Sequence, residues 1–329
     1  MSALLSPYRD LLVDKKILLA YSGGVDSSAL FHLLIDEGIE FDIAIVDYAL
    51  REQSKAEVEY ANELSKEYNL ICHTKNAPAF ESHFEANART FRYTFFDELI
   101  KTNGYEILLT AHQLNDQLEW LLMRLTKGAG ACELVGLYDI VQKSTYQLIR
   151  PLLNYTKSEL QEYLDTYNYK YFIDSSNSDE EYERNYIRHN FSDKLVNKYS
   201  NGIKKSFLYL KNDISILNSQ FKLIYSHEEL RVIKLHDMML KTKAVDLSLK
   251  ELGYLLSNAQ RTEIANNNNI VIGGKWAICV QNNIVYIAPY RKTVLPKEQK
   301  EIYRVAKVPP LIRSYCYEKS INIDKIMVN

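Results

Sequence analysis

Seven residues near the start of the chain, Ser22-Gly23-Gly24-Val25-Asp26-Ser27-Ser28, combine glycines, hydroxyls and a single carboxylate. An apolar run over 16–21 precedes them and predicts a buried strand, and a helical pattern over 27–37 follows. Glycines let a backbone approach an anion closely, and the N–H groups at the start of a helix bind one. The string therefore predicts a phosphate-binding loop, and the alternative is a turn that only caps a helix.

Asp26 is the one acid in this loop, and no lysine accompanies it. The loop therefore differs from the Gly-x-x-x-x-Gly-Lys-Ser/Thr motif of other phosphate-binding proteins. A carboxylate beside phosphates is favourable when a magnesium ion lies between them. The residue types thus predict a Mg²⁺ site at Asp26.

A second group of reactive side chains follows a predicted strand over 106–111. His112, Asp116 and Glu119 are spaced at i, i+4 and i+7, so a helix that starts there would bring them to one face. One imidazole and two carboxylates can serve a metal, proton transfer or the recognition of a cationic amine. A lone histidine is more often structural, whereas this triple beside a phosphate loop predicts a functional site.

Arginines form a third group. Arg89 and Arg92 share one face of a predicted helix, which fits either a surface ion-pair stripe or a basic lining for phosphate. Arg184 and Arg188 follow a polar loop over 174–182 and suit the phosphates of a nucleotide or of RNA. A capped helix with exposed arginines is an equally good alternative for this second pair.

Alternating strands and helices must position these groups. The first half of the chain predicts strands over 16–21, 41–47, 70–74 and 106–111 and helices over 27–37, 53–68, 82–102 and 114–126. This alternation predicts an α/β fold with a doubly wound parallel sheet and helices on both faces. Ligands of such sheets bind beyond the carboxyl ends of the strands, where Asp26, Asp47 and His112 all fall. In nucleotide-binding sheets the end of the second strand commonly contacts the base or ribose. Val46 and Asp47 lie at that position here, and the alternative is a simple turn from the strand into a loop.

The second half of the chain predicts a helical linker and a smaller α+β domain. Residues 203–240 have a mostly helical pattern, and residues 243–290 predict a helix over 248–257 and strands over 276–280 and 284–287. The predicted domains are a catalytic domain over 1–200, the linker over 201–242 and a C-terminal region over 243–329.

Composition and charge narrow the class of protein. Of the 329 residues, 47% are hydrophobic and 25% charged, as in ordinary soluble proteins. Because neither a signal peptide nor an apolar run of about 18 residues is present, we expect a cytoplasmic protein with no membrane partner. Four scattered cysteines without a Cys-x-x-Cys pair disfavour a zinc, iron–sulfur or redox site.

The distribution of charge differs from its sum. The net charge is −2, but residues 184–205 carry six bases against one acid, and residues 291–329 carry nine bases against four acids. These two basic segments favour a polyanionic partner.

Taken in chain order, these strings resemble the tRNA(Ile)-lysidine synthetase family of ATP-pyrophosphatases. The matching segments are 22–27, 46–51, 85–93, 110–119, 128–130, 150–153 and 174–188. The resemblance is specific over about residues 15–190 and looser beyond them. Residues 273–276 look like the end of the family's first C-terminal domain and residues 308–313 like a remnant of a further one, so the chain would be a short form.

The resemblance implies a reaction in two steps. ATP adenylates the C2 oxygen of the wobble cytidine of a CAU-anticodon isoleucine tRNA and releases pyrophosphate. Free L-lysine then displaces AMP, and the product base is lysidine. The implied nucleotide and metal ion are ATP and Mg²⁺, the implied partner is tRNA(Ile), which the C-terminal region would also grip, and the family allows a homodimer without requiring one.

The resemblance also implies a role for each matching residue. ATP would be bound by Ser22, Gly23, Gly24, Val25, Asp26, Ser27, Ser28, Val46 and Asp47. Lysine and the target nucleotide would be bound by Asp116, Glu119, Arg89, Arg184 and Arg188. The catalytic residues would be Asp26, which also holds Mg²⁺, His112 and Asp116.

Three departures from the family pattern leave rival interpretations open. Tyr48-Ala49 stands where the family usually has His-Gly, Asn115-Asp116 where it has two acids, and Trp120 where it has Thr. Asn115 supports a tRNA-binding protein that has lost catalysis. A tRNA thiolase of the same superfamily would need paired cysteines, and the chain has none.

Overall fold

The computed structural model describes residues 5–48, 52–80, 82, 84–173 and 183–326. The chain separates into two compact units, Met1–Lys211 and Asn212–Asn329. The domain ranges 1–200, 201–242 and 243–329 stay predictions.

The first unit is built on a six-stranded sheet. Its strands are β1 (Ile17–Ala20), β2 (Asp42–Asp47), β3 (Cys72–Asn76), β4 (Ile107–Leu109), β5 (Ile140–Gln142) and β6 (Gln147–Ile149). They lie in the order β3-β2-β1-β4-β6-β5, and all are parallel except β5, which pairs antiparallel with β6 at one edge. The predicted α/β sheet is therefore confirmed, with a short antiparallel hairpin added to it.

Helices cover both faces of this sheet. The helices of this unit are α1 (Arg9–Leu12), α2 (Val25–Asp36), α3 (Glu52–Glu67), α4 (Phe84–Asn103), α5 (Leu114–Leu125), α6 (Ala131–Leu134), α7 (Lys157–Thr166) and α8 (Glu183–Ile187). A π-helical turn over Arg188–Ser192 leads into α9 (Asp193–Ser219), which is kinked at Tyr199 and continues past Lys211. Because side chains alternate along a strand, Leu19 packs with Leu30 of α2 and Leu160 of α7, while Leu18 packs with Phe96 of α4 on the opposite face.

Three helices begin at the carboxyl edge of the parallel strands, and two of them are capped by their own side chains. Gln113 and Asp116 form a capping box at the start of α5, and Thr156 and Glu159 form one at the start of α7. The N-cap of α2 is Gly24, which supplies no side-chain cap. The first N–H groups of α2 therefore remain available to a ligand.

The second unit is an antiparallel sheet with helices on both faces. Its strands are β7 (Phe221–His227), β8 (Leu230–Leu235), β9 (Asn269–Ile272), β10 (Trp276–Gln281) and β11 (Ile284–Pro289), in the order β7-β8-β11-β10-β9. Its helices are α10 (Lys241–Glu251), α11 (Asn258–Asn266), α12 (Lys297–Val305) and α13 (Arg313–Glu318). Leu249 and Ile264 of α10 and α11 pack on one face of the sheet, and Tyr303 and Tyr315 of the C-terminal segment pack on the other.

Two predictions for the second half are wrong. The helical pattern over 203–240 ends at Ser219, and β7 and β8 follow as a hairpin. The predicted helix over 248–257 is interrupted after Glu251, because Gly253 adopts a φ of +79° and Ser257 caps the start of α11. The strands predicted over 276–280 and 284–287 are confirmed as β10 and β11.

Among the described residues, no helix has both the length and the apolar composition that crossing a lipid bilayer requires.

Candidate active site

Gly23 is the first of two glycines in the turn between β1 and α2, and no other residue fits its position well. Gly23 has a φ of +74°, and a Cβ there would lie 3.2 Å from Cδ2 of Phe172. The Phe172 N–H donates to the Gly23 carbonyl at 2.9 Å, which ties the turn to the chain that follows α7. The loop is thus held in one shape from outside as well as from within.

Hydroxyl groups complete the shape of this loop. Ser27 Oγ accepts from the Ser22 N–H at 3.2 Å and donates to the Gly24 carbonyl at 3.1 Å. Ser28 Oγ donates to the Gly23 carbonyl at 3.2 Å. Ser27 and Ser28 are buried, whereas Ser22 is exposed. The two buried serines therefore orient the backbone N–H groups that face a ligand, and the ATP contacts assigned to the loop stay predictions.

Asp26 fits the predicted magnesium site. Its Oδ1 is buried and has no hydrogen-bond partner among the described residues. Burial, reinforced by the charge of Asp116, raises the pKa of Asp26 to about 7, and the Lys157 and Arg188 cations oppose that rise. An unpartnered carboxylate oxygen is costly to bury unless a cation or proton meets it.

The described residues around Asp26 do not form a metal site made of protein side chains alone. The described residues contain no group of three or more His, Cys, Asp or Glu side chains that could hold a metal ion. Magnesium is commonly bound by one or two carboxylates together with substrate phosphates and water. Asp26 beside a phosphate loop matches that donor set.

His112 lies directly after β4 and is uncharged at neutral pH. Its Nδ1 is 3.0 Å from Oγ1 of Thr110. Burial lowers the pKa of His112 to about 4; Asp116 opposes this effect, and the arginines Arg150, Arg184 and Arg89 add to it. A neutral imidazole has one nitrogen able to accept a proton.

Two carboxylates and two arginines form a partly buried ion-pair network beside His112. Glu119 is fully buried, and its Oε2 accepts from Arg184 Nε at 2.8 Å while its Oε1 accepts from Arg188 Nε at 2.6 Å. Asp116 Oδ1 accepts from Arg184 Nη2 at 2.7 Å, and its Oδ2 accepts from the Gln113 N–H at 3.0 Å. Burial would raise the pKa of Asp116, but Arg184, the Gln113 N–H and the charge of Arg188 hold it below its usual value.

Most of the predicted site residues meet in or around one cleft. The cleft is lined by Ala20, Tyr21, Ser22, Asp26, Ser27, Arg89, Arg92, Tyr93, Phe96, Thr110, Ala111, His112 and Asp116. Gly23, Gly24, Val25 and Ser28 shape its loop, and Glu119, Arg184 and Arg188 lie behind Asp116. Val46 and Asp47 end β2 and are not among the lining residues of this cleft.

Sequence reasoning left the use of Arg92 open and assigned no role to Tyr93 or Lys157, and all three contribute here. Arg92 and Tyr93 line the cleft from α4, and the helical spacing from Arg89 identified that face without deciding its use. Lys157, the first residue of α7, opposes the rise in the pKa of Asp26. No local pattern connects Lys157 to Asp26, because the two come together only when α2 and α7 start at the same edge of the sheet.

The residues that depart from the family pattern occupy defined positions. Asn115 Nδ2 donates to Asp193 Oδ1 at 2.7 Å, and Asn115 Oδ1 accepts from the Lys157 N–H at 3.4 Å, so this side chain joins the starts of three helices. Trp120 Nε1 donates to the Glu133 carbonyl at 2.9 Å. Tyr48 donates its hydroxyl to the Ala88 carbonyl at 3.3 Å.

Two predicted segments cannot be placed. Residues 49–51, from the string after β2, and residues 174–182, from the polar loop before Arg184, lie outside the described residues.

Comparison with known proteins agrees with the arrangement of the loop and sheet. A model of the PP-loop domain matches residues 2–195. A tRNA(Ile)-lysidine synthase of Campylobacter jejuni is 40% identical over 320 residues, which cover 96% of this chain and 97% of that protein. The tRNA(Ile)-lysidine synthase of Wolinella succinogenes is 40% identical over 315 residues, with 93% and 94% covered, and that of Helicobacter pylori 36% identical over 313 residues, with 94% and 91% covered.

A solved structure shares the fold at low sequence identity. The U34-tRNA thiolase NcsA from Methanococcus maripaludis, solved with its [4Fe-4S] cluster, matches with a TM-score of 0.52 and 16% identity. The match covers 64% of this chain and 76% of that one. It is a likeness of architecture.

Proposed function

Because the chain belongs to the tRNA(Ile)-lysidine synthase family of ATP-dependent ligases, we propose that its cleft joins free lysine to C2 of the wobble cytidine of a CAU-anticodon isoleucine tRNA. One observation carries the proposal: an uncapped helix N-terminus, the unpartnered carboxylate oxygen of Asp26 and the neutral imidazole of His112 border a single cleft. Adenylation followed by attack of an amine requires an anion site, a metal-binding oxygen and a base.

The first step is supported by the loop and by α4. The N–H groups at the start of α2 would bind the phosphates of ATP, and Arg89 and Arg92 would add positive charge from the opposite wall. Asp26 would hold Mg²⁺, which when bound neutralises the charge that develops on pyrophosphate. The cytidine C2 oxygen attacks the α-phosphorus, and the bond to pyrophosphate breaks.

The second step needs an uncharged lysine amine at C2. Lysine would react as its free amine, and His112, which is neutral at pH 7, would accept a proton from that nitrogen as its bond to C2 forms and the N–H becomes acidic. The amine nitrogen then bonds to C2, and the C2–O bond breaks with its electron pair leaving on AMP. The cytidine must leave the anticodon stack to reach the cleft.

The ion-pair network suggests different roles for its two carboxylates. Asp116 lines the cleft, so we assign it to the ammonium group of lysine. Glu119 is fully buried and already accepts from Arg184 and Arg188, so we assign it to positioning those guanidinium groups for a phosphate. In this arrangement lysine competes with Arg184 for Asp116, and a phosphate that draws Arg184 away would favour lysine binding.

A direct assay tests the proposal. The purified protein is incubated with ATP, Mg²⁺, labelled lysine and a transcript of CAU-anticodon isoleucine tRNA, and the label in RNA is counted. We expect lysine incorporation that depends on ATP and is absent with methionine tRNA of the same anticodon. Tight tRNA binding without incorporation would contradict the proposal in favour of an inactive binder. ATP consumption that depends on a sulfur donor instead of lysine would favour a thiolase.

A further inference from the structure

A row of exposed side chains runs along α9 and the π-helical turn before it, on both sides of a kink at Tyr199. Phe191, Lys194, Leu195, Lys198, Lys205 and Tyr209 are all exposed, and we call them the lysine face. Lys194 and Leu195 lie four and three residues before Lys198, which is the spacing of one helix face. Phe191 lies in the π-helical turn, and Lys205 and Tyr209 follow a kink at Tyr199, where φ is −132° and ψ is 25°. Val196 and Phe207, on the opposite side, are buried.

The charge of the lysine face is unbalanced. Among the described residues, neither Lys194, Lys198 nor Lys205 has a carboxylate within ion-pair distance. Lys204, by contrast, pairs with Glu159 at 3.2 Å. The one acid between 188 and 211 is Asp193, which accepts from Asn115. A run of lysines without acids is suited to a row of phosphates.

Aromatic rings accompany these lysines at both ends of the row. Phe191 is 45% exposed and Tyr209 is 62% exposed. Tyr186 packs edge-on against Phe191, with ring centroids 5.9 Å apart, so the Phe191 ring is held in place although it faces solvent. Unpaired bases stack on exposed rings beside a row of positive charge that binds the nucleic-acid backbone.

Phe191 also lies close to the cleft along the chain. It is three residues from Arg188, whose guanidinium contacts Glu119 behind the cleft wall. The lysine face therefore begins where the arginines of the candidate active site end. An RNA strand that leaves the cleft along this helix would meet Phe191 first and the lysines next.

We propose that the lysine face binds the anticodon arm of the tRNA substrate, with the lysines on its phosphates and Phe191 stacked on an unpaired base next to the target cytidine. The inference rests on the proposed function for the identity of the RNA. It adds a substrate surface outside the cleft that neither ATP nor lysine touches.

Neutralising two lysines tests the electrostatic part. The double variant Lys198→Gln/Lys205→Gln should bind the CAU-anticodon isoleucine tRNA about tenfold more weakly at low salt. The slope of log K against log[KCl] should fall by roughly two, one for each lost phosphate contact. Lys66→Gln/Lys101→Gln, which removes two exposed lysines at the ends of α3 and α4, is the matched control and should bind like the wild type. Equal affinity and slope in all three proteins would overturn the proposal.

Replacing the ring tests the stacking part. Phe191→Ala should weaken tRNA binding by about fivefold or more with an unchanged salt slope, because stacking on one base is worth about 1–3 kcal/mol. Phe191→Trp, which keeps a flat ring, should restore the affinity. A Phe191→Ala variant with wild-type affinity would remove Phe191 from the surface.

The same preparations separate this inference from the proposed function. If the wild type attaches lysine to tRNA and the lysine variants bind tRNA normally, the surface is wrong and the function stands. If the wild type binds tRNA without attaching lysine and the variants lose binding, the surface stands and the function is wrong. If the surface and the function are both right, the lysine variants should have a higher KM for tRNA and an unchanged kcat at saturating tRNA.

Discussion

At the scale of single residues, Asp26 combines two properties that each favour binding of a ligand. Its carboxylate has an oxygen without a partner among the described residues, and it lies beside the open end of a helix. Both properties are costs to folding unless a ligand meets them. The site is thus arranged for a bound cation and anion together.

Asp26→Asn keeps the shape of this side chain and removes its charge. We expect pyrophosphate release to fall by roughly 100-fold or more, because a metal ion bound at the leaving group supplies several kcal/mol of stabilisation. Binding of tRNA should change little, and Asp10→Asn, at an exposed position of α1, should leave both properties intact. The assay is tRNA-dependent release of pyrophosphate together with filter binding. Normal turnover in Asp26→Asn would show that the loop is not the ATP site.

Asn115 gives the second prediction at this scale. An acid at this position would face the Asp193 carboxylate, which now accepts from Asn115 Nδ2 at 2.7 Å. We expect Asn115→Asp to lower the free energy of unfolding by about 1–3 kcal/mol, since a buried acceptor would face another acceptor. Adding Asp193→Asn should restore most of the loss, because a donor again faces a carboxylate. Urea unfolding of the two single variants and the double variant measures the coupling, and additive losses would contradict it.

His32 gives a prediction about pH. It is buried on α2 without a hydrogen-bond partner among the described residues for either ring nitrogen, and it stacks on Tyr169 with ring centroids 3.5 Å apart. Burial lowers its pKa to about 4, and Asp36 opposes the shift. The folded state therefore keeps His32 neutral while the unfolded state takes up a proton below about pH 6.5.

The free energy of unfolding is thus highest above pH 6.5, where His32 is neutral in both states, and it decreases as the pH falls towards 4. Between pH 7.5 and 5.5 the free energy of unfolding should decrease by roughly 1 kcal/mol on account of this one residue. His32→Phe should flatten that dependence, whereas His227→Gln, at an exposed position, should not. Urea midpoints at the two pH values provide the measurement.

At the scale of elements, α7 contributes a cation that the phosphate loop lacks. Lys157 is the first residue of α7, and its N–H is oriented by Asn115. Lys157→Gln should raise the KM for ATP by about tenfold, as expected for loss of one charge at a phosphate, and should leave tRNA affinity unchanged. Lys143→Gln, in the exposed turn between β5 and β6, is the control. An unchanged KM for ATP in Lys157→Gln would exclude the ammonium group from the nucleotide site.

Strands and helices could be predicted from the sequence where a single local pattern, an apolar run or a helical spacing, identified them. β1, β2 and β4 are buried on both faces, so each appears as a continuous apolar run, and the helices between them follow from spacing. β7 was missed because Phe221–His227 mixes exposed polar residues with apolar ones directly after a long helix. The ion pairs of Arg184 and Arg188 with Glu119 were also out of reach, since 65 or more residues separate the partners and only the assembled fold brings them together.

At the scale of the whole molecule, each of the two units has a core of its own. In the second unit the C-terminal segment supplies part of that core, since Tyr303, Ile312, Tyr315 and Cys316 are buried against the sheet. The segment is therefore an integral layer of its unit in this structure. Proteins with two cores often unfold in more than one transition.

Tyr303→Ala tests that role. Removing a buried aromatic ring costs about 3–5 kcal/mol, so one of the thermal transitions should move to lower temperature. Tyr317→Ala, on the neighbouring helix at a half-exposed position, should shift it by less than a quarter as much. Calorimetry of the full chain distinguishes the two variants, and equal shifts would mean that the segment packs more loosely than the structure indicates.

The π-helical turn over Arg188–Ser192 sets a rotational phase. A π turn accommodates one more residue than an α turn, and each residue of an α-helix advances the side-chain direction by about 100°. Arg184 before the turn and Arg188 at its first position bind Glu119, whereas Lys194 and Lys198 after it are exposed to solvent. The turn therefore sets the angle between these two groups of cations, upstream of the kink at Tyr199. Deleting Asn190 from this turn would swing the downstream row by about a quarter of a revolution while every side chain of that row was kept. The directions of these groups, and not only their identities, are therefore encoded in the count of residues between them.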